Sequence, residues 1–238
     1  MVNNKNDQTS EDSRNRKKPV RLNREAIVGL ALYVADTEGI DAVSFRRLSH
    51  DLGVTPMAIY RHVHNKDDLL DAMTEQMLAH FDTSAVKETD WREQVRGLLY
   101  ALRQVLLIHP SGRYLLSRRS LPSTNRLRIF ETSLSILRNA GFGPQEAFLI
   151  FEHLLNQVVS LVVTGDGYIQ GSEEERQLWG AKLLEFYGGL PKQEYPWLVE
   201  AAPNIAACVD KDRHFKFGAD LLLAGLEAMA ASIRSNNQ

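Results

Sequence analysis

The chain has 238 residues, 44% hydrophobic and 24% charged, with eight prolines and a formal net charge of −2. That balance excludes a disordered, collagenous or fibrous protein, and the length allows one to two domains of about 150 residues each. The single cysteine, Cys208, excludes an internal disulfide and any zinc site built on two cysteines, and it fits a reducing compartment.

Residues 1–20 are polar, and from Met1 to Arg24 seven basic residues stand against Asp7, Glu11 and Asp12. Such a stretch reads as a basic arm, either a solvated tail or an arm that reaches a phosphate. It has no apolar core of a secretory signal, and no run of about 18 apolar residues follows, so the expectation is a cytoplasmic chain without a membrane anchor. From Arg24 the apolar positions Ile27, Leu30, Ala31, Val34 and Ala35 recur at helical spacing, with Asn23 as N-cap and Gly39 as terminator. A second helix opens at Ser44 and runs through Phe45, Leu48 and Leu52 to Gly53. A third follows at once, capped by Thr55 with Pro56 in its first position and Ile59 and Val63 inward. Asn65 and Asp68 resemble a capping box, opening a connecting helix over Asp67–Phe81.

The remaining periodicity predicts helices near Trp91–His109, Thr124–Ala140, Pro144–Thr164, Glu173–Tyr187 and Phe215–Arg234. Glycine clusters at 141–143, 165–167 and 188–189 punctuate them, and Leu190–Arg213, with three prolines, reads as a long loop with at most short helical turns. No strand alternation appears, so the expected fold class is all-α. A helix-turn-helix domain at 21–66 is followed by a larger helical domain at 67–238.

The most specific constellation lies between Ser44 and Leu70. A recognition helix is small or polar where base edges lie and basic or hydroxyl-bearing where phosphates lie. Thr55, Pro56, Met57 and Ala58 satisfy the first demand, Tyr60, Arg61, His62 and Lys66 the second, and Ser44 is a further DNA-binding candidate. Arg46 and Arg47 on the preceding helix are candidates for a base edge or a phosphate. Between Ser44 and Lys66 four basic residues face Asp51 alone, so an acidic chain has concentrated positive charge at this hairpin.

The run Ile59-Tyr-Arg-His-Val-His-Asn-Lys-Asp-Asp-Leu-Leu70, with Phe45-Arg-Arg-Leu-Ser and Leu52-Gly-Val, resembles the amino-terminal domain of the tetracycline-repressor family of bacterial regulators. The resemblance implies that Tyr60, His62 and Lys66 bind phosphate, that Arg46 makes or supports a base contact, and that Thr55–Ala58 face the groove. Leu107-Ile-His-Pro-Ser-Gly112, Gly141-Phe142 and Phe215–Glu227 extend the likeness into the second half. It implies a homodimer on a double-stranded palindromic operator, the last helix pairing with Pro144–Thr164 across the two-fold axis, with Gly218, Leu222, Gly225, Leu226 and Met229 along one side.

His153, Asn156, Gln157 and Ser160 share one side of an apolar helix, where they either line a ligand cavity or bond across the dimer. Leu116 stands where the family's tetracycline-binding members place a metal-binding histidine, and Phe81-Asp82 replaces a histidine pair, so no metal and no cofactor are expected. Tyr114, Leu115, Leu116, Phe130, Leu134, Phe148 and Phe151 instead favour an apolar or aromatic effector, with Ser120 and Ser133 as polar handles. No nucleophile elbow, phosphate-binding loop, dinucleotide fingerprint or zinc-protease helix occurs, which argues against an enzyme. The expected activity is effector-released repression. A ligand-responsive activator is the alternative, and a helical scaffold or membrane-surface protein stands further off.

Overall fold

The computed structural model describes residues 22–83, 89–118, 122–167, 172–206 and 211–236, and every regular element among them is helical. The basic arm at 1–20 lies outside the described residues. The chain divides into two compact units at Leu69 and Leu70.

The first unit holds α1 (Arg24–Glu38), a 3₁₀ turn at Ile40–Ala42, α2 (Phe45–Leu52), α3 (Pro56–Tyr60) and the first turn of α4 (Lys66–Leu78). Each start has a local cause. The Asn23 side chain accepts from Ala26 N at 2.8 Å, Ser44 Oγ from Arg47 N at 3.2 Å and Thr55 Oγ1 from Ala58 N at 3.3 Å. Gly53 ends α2 in the left-handed region at φ +66°, where its N–H reaches His50 O and Val54 N–H reaches Ser49 O. Ile27, Val34, Leu48, Ile59, Val63 and Leu69 fill the core of this unit, each at most 1% exposed.

At the head of α4, Asn65 Oδ1 accepts from Asp68 N at 2.8 Å as expected, but the Asp68 carboxylate takes His64 N, one residue earlier than a capping box requires. That carboxylate is committed to Arg24 of α1, at 2.5 and 3.2 Å, and Arg24 also donates to His62 O. This clasp ties α1 to the first turn of α4 and to the segment that follows α3.

The second unit contains the rest of α4, α5 (Trp91–Ile108), α6 (Gly112–Ser117), α7 (Thr124–Asn139), α8 (Pro144–Gly167), α9 (Glu173–Gly188), α10 (Pro196–Ala206) and α11 (Lys211–Asn236). Helix α5 packs against α7, α8 and α11. Its Arg92 meets Glu227 at 2.6 Å, Arg96 meets Asp220 at 2.5 Å, and Arg103 pairs with Asp212 while lying over the Phe215 ring. Rising numbers on α5 meet falling numbers on α11, so these pairs set an antiparallel register.

The expectation of a long loop at Leu190–Arg213 is corrected by α10 and by the start of α11 at Lys211, one turn before Phe215. Pro196 occupies the first helical position, where no N–H is missed, and Pro203 is carried inside the helix, so the prolines that suggested a loop do not prevent one. The glycines at 165–167 fail to end α8, which continues to Gly167, and α6 forms where no helix was anticipated. Helices α9 and α10 pair closely at Gly180, where a Cβ would stand 2.9 Å from the Ala206 carbonyl oxygen.

Gly53 offers a clean test, because open space surrounds its missing Cβ and only the backbone conformation resists a side chain. Gly53→Ala is expected to cost about 1 kcal/mol, the penalty of an L-residue in the left-handed region, measured as a lower urea midpoint at unchanged slope.

Candidate nucleic-acid interface and ligand cavity

Tyr60 stacks on Phe45 with ring centroids 4.6 Å apart and planes 6° from parallel, joining the end of α3 to the start of α2. The stack holds a short helix of five residues whose Pro56 and 67%-exposed Met57 face outward. Thr55 is exposed and caps α3, Ala58 is half-buried, and Ser44 is the exposed cap of α2.

The two adjacent arginines of α2 have different fates. Arg47 forks onto Glu38 of α1 at 2.7 and 2.8 Å, and its Nε reaches Asp51 at 2.6 Å. Hydrogen bonds first from Glu38 and then from Asp51 raise the Arg47 pKa well above its ordinary value. Arg46 is exposed and its guanidinium makes no hydrogen bond or ion pair among the described residues; the same holds for Arg61. The i,i+4 spacing of Arg47 and Asp51 was the sequence signal for this division.

Lys66 is exposed as a residue, yet its ammonium donates to the Val43 carbonyl. Burial lowers the pKa of this amine, while Asp41 acts in the opposite sense. His62 is half-buried and its carbonyl is taken by Arg24. The structure therefore gathers Ser44, Arg46, Thr55–Ala58, Tyr60, Arg61, His62 and Lys66 within one compact unit.

In the second unit, side chains of α4, α5, α6, α7 and α8, with Phe81 just past α4, surround a cavity that opens to solvent on one side. Among the described residues its wall consists of Leu78, Phe81, Val95, Leu98, Leu99, Leu102, Leu116, Ile129, Leu137, Phe151, Leu154 and Leu155, with Arg126 and Ser133 as the polar members. Of the ten residues expected to bind an effector, Leu116, Ser133 and Phe151 are on this wall. Leu115 is buried behind it, and Phe130 packs on Phe151 at 4.4 Å and Phe148 at 6.1 Å without reaching it. Phe148, His153, Asn156 and Gln157 are exposed and off the wall, because the inward side of α8 belongs to Ala147, Ile150, Val158 and the leucines at 154 and 155. Ser120 lies outside the described residues. The leucines of α5 gave no sequence signal beyond helical periodicity, and Arg126 carried no motif.

Along α11 the exposed apolar stripe coincides only in part with the expected one. Leu226 is buried within the chain, Leu222 is half-buried, and a Cβ on Gly218 would strike Leu161 of α8 at 2.6 Å. Gly225 and Met229 are exposed, joined by Phe217 and Leu221 at 70% and 64%. The stripe Phe215, Ala219, Leu223, Leu226, Ala230 takes the inward side and fixes the rotation.

A family model described as "Bacterial regulatory proteins, tetR family" matches residues 27–73, and one described as "Tetracyclin repressor-like, C-terminal domain" matches residues 85–230. The chain belongs to the TetR family. An HTH-type transcriptional regulator of Saccharopolyspora erythraea is 29% identical over 92% of this chain and 90% of its own length. The class C tetracycline repressor protein of Escherichia coli is 28% identical over 88% of this chain and 92% of its own. ActR of Streptomyces coelicolor, solved in complex with actinorhodin, superimposes with a TM-score of 0.78 at 29% identity, covering 88% of this chain and 97% of that one. This TetR-family chain is a transcriptional regulator and not an enzyme. No helix among its described residues is long and apolar enough to cross a membrane.

The Arg24 hydrogen bonds hold the Asp68 pKa below the ordinary carboxylate value, with burial opposing and the His64 amide assisting. A depressed carboxylate contributes stability above its unfolded pKa and loses it as pH falls through the depressed one. Asp68→Asn is accordingly expected to lower the melting temperature at neutral pH while flattening the loss between pH 5 and 3, roughly the range where unfolded carboxylates titrate.

Proposed function

We propose that this regulator is a homodimeric repressor that binds a palindromic operator and is released by a small, mainly apolar or aromatic effector. The observation that carries the reading is the cavity, whose apolar wall includes Leu78 at the last turn of α4, the helix that begins in the DNA-binding unit at Lys66. An effector that favours one placement of Leu78 and Phe81 biases α4, and differential affinity for two α4 placements is what ligand control of DNA binding requires. ActR, a relative with a known ligand complex, supports a ligand-responsive second unit here.

In the first unit, α3 would present Thr55, Pro56, Met57 and Ala58 to the major groove, with Tyr60, Arg61, His62 and Lys66 on phosphates. Arg46 is the candidate for a base edge, since Arg47 is engaged by Glu38 and Asp51. Lys66 would exchange the Val43 carbonyl for a phosphate, which restores a charged partner to a partly desolvated amine.

The dimer would form on α8 and α11. Leu149, Phe217, Leu221 and Met229 expose large apolar surface there, and His153, Asn156, Gln157 and Ser160 lie on the outward side of α8. Exposed apolar side chains grouped beside such polar groups fit an interface between copies of one chain.

Selection of sheared genomic DNA by the purified protein tests the operator reading: a palindrome is expected, lost in the Tyr60→Ala, Lys66→Ala double variant. Enrichment of no sequence would refute it. Arg61→Ala should weaken binding to all sequences alike and reduce the salt slope by about one, whereas Arg46→Ala should relax selectivity at one operator position by about 1–3 kcal/mol. Leu221→Asp is expected to shift the sedimenting species from dimer to monomer with helicity retained.

A further inference from the structure

Helix α7 begins at Thr124, and the residue before it, Ser123, has both the extended backbone (φ −75°, ψ 170°) and the side chain of an N-cap. Its carbonyl accepts from Leu127 N at 2.8 Å, yet its hydroxyl caps nothing. That hydroxyl is sealed from solvent and has no hydrogen-bond partner among the described residues. The cap comes instead from another helix. Both carboxylate oxygens of Glu75 in α4 accept from Asn125 N, at 3.1 and 3.0 Å, and the Asn125 side-chain amide donates to the Glu75 carbonyl at 3.2 Å. One turn earlier on α4, Asp71 accepts from Arg118, just past α6, at 2.9 Å.

Asn125 is the second residue of α7, and the N–H at that position is one of the two that an N-cap serine ordinarily takes. Glu75 and Ser123 are therefore alternative caps for one helix start. A carboxylate at the positive end of a helix is the stronger acceptor, which favours Glu75. A sealed hydroxyl left without a partner is costly, which opposes it. Both helices of this contact also contribute to the cavity wall: Leu78 lies three residues after Glu75 on α4, and Ile129 four residues after Asn125 on α7.

We propose that the start of α7 is a two-position latch for α4. With the cavity empty, Glu75 caps α7 and holds α4. With the cavity filled, Leu78 and Ile129 are pressed apart, Glu75 withdraws into water and the Ser123 hydroxyl takes over the cap. Helix α7 stays capped in both positions, so α4 shifts without leaving a helix end open, and the element has two discrete arrangements that a ligand can bias. The inference rests on the reading of the cavity as the effector site, and it adds the bonds that differ between the empty and the filled form.

The test compares the full-length unaltered chain with Glu75→Ala, Ser123→Ala and the double variant. Two readouts are taken, hydrogen exchange at the Asn125 and Arg126 amides and fluorescence titration with N-phenyl-1-naphthylamine, an uncharged apolar probe. Ser123→Ala should leave Asn125 protected, Glu75→Ala should keep one of the two amides protected because the serine replaces the carboxylate, and the double variant should protect neither. Probe affinity should move in opposite directions in the single variants, about fivefold tighter in Glu75→Ala and about fivefold weaker in Ser123→Ala, the worth of one cap. Two residues with a merely structural role would not give opposite signs. Loss of protection at both amides in Glu75→Ala, or failure of that variant to fold, would overturn the exchange of caps, since the serine would not have replaced the carboxylate. Equal probe affinity in all four proteins would overturn the link between latch and cavity. Binding of the probe by none of them would overturn the cavity reading itself, with hydrogen exchange still deciding whether the caps exchange.

Discussion

Helix α5 presents Val95, Leu98, Leu99 and Leu102 to the cavity, while its Arg92, Arg96 and Arg103 reach Glu227, Asp220 and Asp212 of α11. An apolar wall facing a cavity forgoes packing contacts on that side, so the helix must be held by what lies elsewhere on its surface. The solid core supplies part of this through Val105 and Leu106, and Tyr100 meets Phe215 edge to face at 5.1 Å. The ion pairs, exposed on at least one partner, are screened by solvent and contribute little to stability. Their larger effect is geometric, since three charged pairs at unequal spacing fit one sliding position of α5 on α11.

The first unit solves a different problem, how to display a helix of five residues that cannot persist alone. Thr55 and Pro56 start it, Gly53 turns the chain into it, Ile59 anchors it and the Phe45–Tyr60 stack closes it from outside. The Arg24–Asp68 clasp holds the segment that leaves it. Rigid support of a short reading element is what precise placement in a groove demands.

The parts legible in the sequence are those fixed by local chemistry. Asn23, Ser44, Thr55 with Pro56, and Gly53 each act within four residues, so their caps and turns could be read one by one. Helix α10 was hidden because Pro196 and Pro203 look like breakers until their positions in the helix are known. The cavity was hidden for a different reason: Leu99 on its wall and Leu106 in solid core are the same residue type on one helix. Periodicity identified one side of α8 bearing His153, Asn156 and Gln157, but only tertiary packing turns that side outward. The partial mismatch along α11 has the same origin, since several small and apolar residues there satisfy either face. Arg126 was invisible because an arginine near the start of a helix is ordinary until its surroundings are seen to be apolar.

Arg47 stands beside Arg46 in sequence, yet Glu38 and Asp51 answer its charge inside the chain. A basic side chain that is neutralised within its own chain displaces fewer counterions from arbitrary duplex. The net charge of −2 works in the same direction. A chromosome offers on the order of 10⁶ or more competing sites, and occupancy of one operator depends on how many molecules that excess removes. For any DNA-binding regulator, weaker attraction to the bulk of the genome leaves more molecules free to occupy a single control site.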